Sequence, residues 1–207
     1  MLYYPHTPDI PLISHKNDAR IDAGITSIAS ANMTFSYGLT NHIALQAYGD
    51  ARDKISYQGA VGYYTHFGEN NIIEIYGGAG NFYGKAYNDA NPGKLYGHYQ
   101  VYFTQFNIGT IDFPDGWEDF GFGIRTGYLN ADLTDQNYFY SGSDSPINFS
   151  DNGIIIEPMV FARIGSKRLK INVKLAGCKF FDLSEIHHEI PYARFIAGLG
   201  LNYRIIK

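Results

Sequence analysis

The chain has few charged residues, one cysteine and no long apolar run, and each shortage excludes a class of protein. Charged residues are 17% of the 207 residues, below the roughly 25% that is usual for soluble domains. No apolar run approaches the roughly 20 residues that a membrane-spanning helix needs, which excludes a span of that kind. Cys178 has no second cysteine for an internal disulfide, and we interpret it as a small packed residue inside a strand.

Basic clusters, linkers and an export signal are also missing from the sequence. The formal net charge is −4 and the Lys and Arg residues are scattered, so we expect no nucleic-acid partner. No Pro/Ser/Gly-rich linker divides the chain, which favours a single folded domain. The first residues, Met1-Leu2-Tyr3-Tyr4-Pro5, contain neither a basic nor an apolar signal region. We therefore expect that a signal sequence is absent from this chain.

Aromatic residues and glycines are abundant instead, and they suit β-strands. The chain has 18 Tyr, 14 Phe and 23 Gly. Residues 169–176 alternate apolar and polar side chains without a break, and about ten segments share this period. Short turns, such as residues 40–42 and 165–167, alternate with longer loops, such as residues 132–152. The pattern predicts an all-β fold, a ten-stranded antiparallel up-and-down β-barrel, with eight strands as the alternative count.

The two faces of these strands differ in charge, and the apolar face is suited to lipid. It has no Asp, Glu, Lys or Arg at a mid-strand position, and an arginine at the midplane of a bilayer costs about 2–4 kcal/mol. We therefore predict a transmembrane barrel. The predicted lipid-facing residues are Phe35, Leu45, Val61, Ile75, Val101, Ile124, Val160, Ile171, Val173, Leu199 and Leu201.

The opposite face mixes small residues with charges of both signs, which suits a narrow lumen. Buried charges need partners of opposite sign, and the lumen of a barrel brings such charges within reach. The predicted lumen charge network consists of Asp22, Glu74, Arg125, Glu157, Arg163, Lys170, Lys174, Arg194 and Arg204. So many charged side chains argue against a general-diffusion pore.

The strand pattern begins at about Arg20, which divides the chain into two parts. Residues 1–19 contain three prolines, and we predict an extended periplasmic leader. Residues 20–207 form the predicted barrel domain. Because outer-membrane barrels have short periplasmic turns, we expect both termini on the side of the short turns.

Three strands contain local irregularities. The fifth strand frays into Gly77–Gly80 by our interpretation. In the sixth strand we assign Tyr99, Val101 and Phe103 to the lipid face, which requires a bulge near Phe106. In the eighth strand Pro158 predicts a bulge or break, because proline donates no hydrogen bond to a ladder.

The carboxy-terminal residues, Gly200-Leu201-Asn202-Tyr203-Arg204-Ile205, place a glycine before alternating apolar or aromatic residues. With the strand pattern over residues 20–205, this segment resembles the insertion signal of small outer-membrane β-barrels of Gram-negative bacteria, although the chain ends in Ile206-Lys207. The leader Tyr3-Tyr4-Pro5-His6-Thr7-Pro8 is similar to that of surface-lipoprotein barrels whose mature end is a lipidated cysteine. The resemblance implies an outer-membrane location and contact with outer-membrane lipid, and it leaves lipidation open.

We expect a non-enzymatic structural, surface or complex-subunit role, with another envelope protein as a candidate partner. One alternative is an outer-membrane enzyme with a rim active site, as in the omptin proteases, which resemble the chain in strand count. Their catalytic pairs match neither His187 and His188 nor the loop aspartates Asp144 and Asp151 residue by residue. The other alternative is a soluble lipocalin-like carrier of a hydrophobic ligand, with inside and outside inverted.

Two loop clusters are candidates for binding. His187, His188 and Glu189 follow Asp182 in a predicted external loop, but their spacing matches no structural zinc pattern. We therefore predict no metal site, no cofactor and no catalytic residue. In the longest predicted loop, three aromatic residues form a cluster that could contact a partner: Tyr138, Phe139 and Tyr140.

Overall fold

Antiparallel β-strands account for most of the computed structural model, which describes residues 2–5, 10–52, 54–87, 93–113, 117–136, 145–184 and 190–205. The strands of the described residues are β1 (Ala19–Thr26), β2 (Ala31–Gly38), β3 (Ile43–Ala51), β4 (Ile55–His66), β5 (Asn71–Tyr87), β6 (Lys94–Phe113), β7 (Glu118–Gln136), β8 (Ile147–Gly165), β9 (Leu169–Gly177), β10 (Lys179–Asp182) and β11 (Phe195–Ile205). None of the described segments forms a helix of the length and apolar character that crossing a membrane requires.

The strands close into one barrel. Neighbours in sequence pair from β1 to β8, β11 pairs with β1 and β9, and the β8–β9 pairing closes the ring. β10 continues β9 along β8 in the same register, because Ala176 pairs with Met159 and Lys179 pairs with Ile156. β9 and β10 thus form one strand of the wall, and the predicted ten-stranded antiparallel barrel is confirmed.

The strand registers fix the tilt of the barrel. Starting at Tyr57 in β4, the paired residues lead one way through β5, β6 and β7 to Asn152 in β8. The other way, through β3, β2, β1, β11 and β9, they lead to Ile164 in β8. The two end points, 152 and 164, differ by 12 residues, which is the shear of the barrel. Ten strands with this shear tilt by about 40° and give a backbone radius of about 10 Å.

The connections define two rims. The β2–β3, β4–β5, β6–β7 and β8–β9 connections lie at one end, which we call the turn rim, and the remaining connections lie at the other, which we call the loop rim. The wall is uneven in height, because β1 to β4 have 8 to 12 residues whereas β5 to β8 have 17 to 20. The tall side therefore extends well past the short side at the loop rim.

The long strands differ from our prediction in two respects. β5 runs without a break through Gly77–Gly80, where we expected fraying. In β6, Tyr99, Val101 and Phe103 are buried inside the barrel and Tyr102 is exposed. The assignment of Val101 to the lipid face is therefore wrong.

The predicted bulge near Phe106 is also wrong. The β6–β7 register is regular on both sides of Phe106 and shifts only between Thr110 and Phe113, next to the turn rim. β6 thus keeps one phase along the span. The slip was required only because the inward residues Tyr99, Val101 and Phe103 are apolar.

Pro158 lies in β8, but the hydrogen-bond ladder that it interrupts is that of the neighbouring strand, between β9 and β10. β8 is continuous from Ile147 to Gly165, and Pro158 faces outward beside Gly177. Because proline has no N–H, the ladder lapses between β9 and β10. The Cys178 N–H donates instead to the Arg194 carbonyl at 2.9 Å. The predicted break in β8 is therefore corrected to a gap between β9 and β10.

The amino-terminal segment lies inside the barrel, not in front of it. Leu2, Tyr3 and Tyr4, and further on Leu12 and Ile13, are at most 2% exposed. At the loop rim the Leu2 N–H donates to the Pro191 carbonyl at 2.7 Å, and at the turn rim the Gly38 N–H donates to the Asp18 carbonyl at 2.8 Å. The predicted periplasmic leader is therefore corrected for its described part: residues 2–5 and 10–13 lie within the lumen, with Leu2 at the loop rim, and residues 15–17 are exposed at the turn rim.

Candidate functional site

The turn-rim half of the lumen is a cluster of buried charges around Asp119, the second residue of β7. Its carboxylate lies 2.5 Å from Lys170 Nζ, 3.7 Å from Arg20 Nη1 and 3.8 Å from Arg163 Nη1. It also accepts a hydrogen bond from the Asp112 N–H at 2.8 Å. All three cations come from different strands, so the cluster ties β1, β8 and β9 to β7 and offsets the cost of desolvating each charge.

Asp18 and Arg204 lie at the end of this cluster that is nearest the turn rim. Arg204 Nε lies 2.9 Å from Asp18 Oδ1, and Arg204 Nη1 lies 3.0 Å from Asp112 Oδ2. Asp18 precedes β1 and lies outside the spanning strands. Burial raises the pKa of Asp18, but the Arg20 and Arg204 guanidiniums outweigh burial and lower this pKa from 3.8 to about 2. The carboxylate is therefore held ionised where the amino-terminal segment enters β1.

Asp22 is the centre of a second buried group, further from the turn rim. Lys174 donates to one oxygen of its carboxylate, and Asn172 Nδ2 at 2.5 Å and Asn202 Nδ2 at 3.3 Å donate to the other. β1, β9 and β11 are joined through this carboxylate. Both oxygens are satisfied, as a buried carboxylate requires.

A third group links the wall to the amino-terminal segment. Arg125 Nε donates to Glu157 Oε2 at 2.5 Å, and the Tyr3 hydroxyl donates to Glu157 Oε1 at 2.6 Å. Arg125 Nη1 donates to Gln58 Oε1 at 3.2 Å, and its guanidinium lies 5.3 Å from the centre of the Phe103 ring. The charge pair and the tyrosine therefore form one connected unit across the lumen.

Wall side chains also hold the backbone of the amino-terminal segment. The Ile13 N–H donates to Glu74 Oε1 at 2.7 Å, and Asn107 Nδ2 donates to Glu74 Oε2 at 3.0 Å. Arg163 Nη2 donates to the Ile10 carbonyl at 2.5 Å. The wall thus binds the backbone of Ile10 and Ile13 as well as the Tyr3 side chain.

The loop-rim half of the lumen is mainly apolar and aromatic, with three buried carboxylates at the strand ends: Asp50, Asp135 and Asp151. The Tyr99 ring stacks on Phe82 at 5.3 Å between ring centres and meets the edge of Tyr3 at 5.4 Å. Leu95 and Leu133 are buried in the same cluster. This half resembles the core of a soluble protein, because its side chains exclude water rather than pair charges.

Two gaps between described residues of the lumen are too small for a ligand. The gap beside Ile10, Met159 and Lys174 measures about 10 Å³, at the lower limit of what one water molecule requires. The gap beside Asp22 and Asn32 has a volume of about 0 Å³. Side chains and the amino-terminal segment together fill the interior.

Most of the predicted lumen charges point inward. Seven of them are at most 7% exposed: Asp22, Glu74, Arg125, Glu157, Arg163, Lys170 and Lys174. Arg204 is half-buried at the turn rim. Arg194 is exposed and precedes β11, so its assignment to the lumen is wrong. Arg194 and Phe195 are both exposed, which shows that strand alternation does not extend to residue 194.

Sequence reasoning missed three buried charges of the turn-rim cluster. Asp18 and Arg20 have the same phase as Asp22, and Asp119 has the same phase as Arg125. Arg20 already lies on the polar face of the first predicted strand, and extending the alternating runs by one or two steps would have added Asp18 and Asp119. Asp151, interpreted as a loop residue, lies instead on the inner face of β8 and is buried.

The outer face is mostly apolar, with the exposed Lys179 of β10 beside Ile156 as a charged residue. Ten of the predicted lipid-facing residues point outward and are 36% to 57% exposed: Phe35, Leu45, Val61, Ile75, Ile124, Val160, Ile171, Val173, Leu199 and Leu201. Val101, as described above, is the exception. Sequence alternation thus placed these ten side chains on the outer surface.

On the tall side the outer face changes character toward the loop rim. Four paired residues on adjacent strands form an outward row of amides: Asn81, Gln100, Asn130 and Asn152. Beyond this amide row the outward residues are polar, and Ser150 Oγ donates to Asp132 Oδ1 at 2.8 Å. Thr134 Oγ1 likewise donates to Asn148 Oδ1 at 2.8 Å. The apolar band therefore ends at the amide row on these strands.

Several predicted loop residues lie outside the described residues: Tyr138, Phe139, Tyr140, Asp144, His187, His188 and Glu189. Their candidate roles stay predictions. Among the described residues, no group of three or more His, Cys, Asp or Glu side chains could hold a metal ion.

Comparison with known proteins adds little beyond the fold. No protein-family model and no curated protein sequence matches the chain. One similar solved structure is the N-terminal β-barrel domain of Pseudomonas aeruginosa OprF, with 14% sequence identity and a TM-score of 0.39. The match covers 92% of this chain and 98% of that one. Similarity at this level gives no information on function.

Proposed function

We propose that the protein is an integral β-barrel of the outer membrane of a Gram-negative bacterium, with a closed lumen and a non-enzymatic structural, surface or complex-subunit role. The observation that carries this proposal is the apolar outer face around a charged interior. A soluble barrel would have the opposite arrangement, with its charges in solvent. Outer-membrane lipid is accordingly the proposed partner of the outward residues.

The height of the apolar band supports a membrane span. On β8 the outward residues run without a charge from Ile154 to Ile164. Ten steps of about 3.3 Å at a tilt of about 40° cover about 25 Å along the barrel axis, the height of the apolar band in outer-membrane barrels. Tyr102 and Tyr128 point outward next to the amide row, where an interfacial aromatic belt is expected.

The interior supports a closed barrel rather than a carrier or a wide pore. A lipocalin-like carrier needs an apolar cavity, whereas this lumen is filled. The omptin-like alternative also loses support, because Asp151 is buried in β8 and not at the rim. The proposed role is therefore one in which outer surfaces, and not the lumen, contact other envelope components.

Two arginine substitutions in β8 test the membrane location. Val160→Arg places a charge in the apolar band and should cost about 2–4 kcal/mol of folding free energy in a bilayer. Asn148→Arg places the same charge outward beyond the amide row and should have little effect. The measurement is the fraction of urea-unfolded protein that folds into lipid vesicles. Without heating, the folded barrel and the unfolded chain migrate differently on a gel, and the two bands give this fraction. Equal folding of both variants would contradict the proposal.

A further inference from the structure

The wall of the barrel is complete without the amino-terminal segment. The ten-stranded ring closes through strand pairs that involve no residue before Ala19. Among the described residues of the segment, only one bridge, Tyr3 to Tyr192, is of the β type. Removing the segment would therefore leave every ladder of the wall intact.

The number of strands explains why a segment of chain is present in the lumen. In an eight-stranded barrel, side chains alone are enough to fill the interior. Ten strands with a backbone radius of about 10 Å leave additional space along the axis. Residues 2–5, near the loop rim, and residues 10–13, toward the turn rim, are buried in this space.

Three glycines make room for the segment. A Cβ atom at Gly84 would lie 2.2 Å from the Leu2 carbonyl oxygen, and one at Gly38 would lie 2.4 Å from the His15 carbonyl oxygen. At Gly109 it would lie 2.7 Å from the Leu12 side chain. These strands therefore approach the segment more closely than any other residue type would allow.

Most wall charges keep their partners if the segment leaves. Arg125 remains paired with Glu157, Lys174 with Asp22, and Arg163 lies beside Asp119. Two carboxylates are different. Glu74 accepts from the Ile13 N–H and Asp50 accepts from the Tyr4 hydroxyl, and among the described residues neither has an ion pair with Lys or Arg.

From these observations we propose that the amino-terminal segment, of which residues 2–5 and 10–13 are described, forms a plug, and that displacing the plug opens a water-filled pore that prefers cations. Water would replace the segment along the axis. Glu74 and Asp50 would then face the aqueous path as carboxylates, and negative side chains that line a pore favour cations over anions. The proposal rests on the proposed membrane location, since it requires a barrel that crosses a bilayer.

The test is the conductance of purified protein in planar lipid bilayers with a KCl gradient. The full chain should insert and stay closed. A variant lacking residues 2–13 should show stepwise conductance with a reversal potential shifted toward the potassium value. Glu74→Gln in that variant should reduce this shift. A synthetic peptide with the sequence of residues 2–13 should close the pore, and a peptide of scrambled sequence should not.

A matched pair of glycine substitutions tests the plug in the full chain, in case the deletion does not fold. Gly84→Val forces the Leu2 carbonyl away and should produce openings that the unmodified chain lacks. Gly59→Val is the control, because a Cβ at Gly59 meets nothing within 4 Å. Openings in both variants, or in neither, would overturn the plug.

The outcomes separate this proposal from the one on which it rests. Folded barrels that insert into vesicles but do not conduct after removal of residues 2–13 would overturn the plug and leave the membrane location standing. Conductance that the peptide of residues 2–13 does not block would also overturn the plug, because the current would then follow a path other than the lumen. Failure of the unmodified chain to insert would instead refute the membrane location.

Discussion

The two halves of the lumen are stabilised by different physical effects. Near the turn rim, Asp119 and its three cations form a buried ionic cluster, whereas near the loop rim Phe82, Tyr99 and Leu133 pack as an apolar core. The outer face is apolar around the ionic half and polar around the upper part of the apolar half. On these strands the apolar side chains therefore point outward near the turn rim and inward near the loop rim, although each strand keeps its phase.

The largest expected effect comes from breaking the ionic half at Asp119. Asp119→Ala leaves Lys170, Arg20 and Arg163 with less counter-charge and should lower the free energy of unfolding by about 3–5 kcal/mol. Urea titration of the barrel in detergent or vesicles measures it. Asp132→Ala, an exposed aspartate of the same strand, should change stability by less than about 0.5 kcal/mol. Similar losses in the two variants would show that burial of the charge does not matter.

In the apolar half, Leu133→Ala should cost about 3 kcal/mol, because it leaves a cavity among packed side chains. Leu133 is 3% exposed. Thr134→Val, the next residue and outward, is the matched control and should be close to neutral in the same titration. If Thr134→Val proved the more damaging change, the two faces of β7 would be wrongly assigned at this height.

The smallest of the three effects is a pH dependence confined to the ionic half. The pKa of Asp18 is lowered from 3.8 to about 2, so its ionised form stabilises the folded state. This contribution, about 2 kcal/mol, is complete above about pH 4 and is lost as the pH falls toward 2. Asp18→Asn should flatten the acid side of a stability profile between these values. An unchanged profile would contradict the lowered pKa.

The contrast between the halves explains how far the sequence could predict the fold. The ten strands and most lumen charges followed from alternation, because Lys170 and Lys174 face a polar interior whereas Ile171 and Val173 face an apolar exterior. In the half of β6 near the loop rim, apolar residues face inward and polar residues face outward, the reverse of the arrangement near the turn rim. Tyr99 and Val101 are apolar and inside, while Gln100 is polar and outside, so an assignment by hydrophobicity alone was wrong there.

The amino-terminal segment was beyond prediction for a related reason. Its prolines predict an extended chain, and an extended chain in a lumen and one in solvent have the same local sequence pattern. The information lies in distant residues, since Glu157 and Glu74 accept hydrogen bonds from Tyr3 and Ile13. Pairings of this kind join residues more than 60 positions apart, and local periodicity carries no trace of them.

The unequal height of the wall has a consequence for how other molecules reach the protein. Past the amide row, β7 continues to Gln136 and β8 begins at Ile147, which raises their ends about 13–15 Å along the barrel axis above the end of the apolar band. In the proposed orientation, a macromolecule that approaches from outside the cell would contact the raised ends of β7 and β8 before it contacted lipid. A partner bound to these ends would leave the short strands, β1 to β4, at the level of the lipid headgroups.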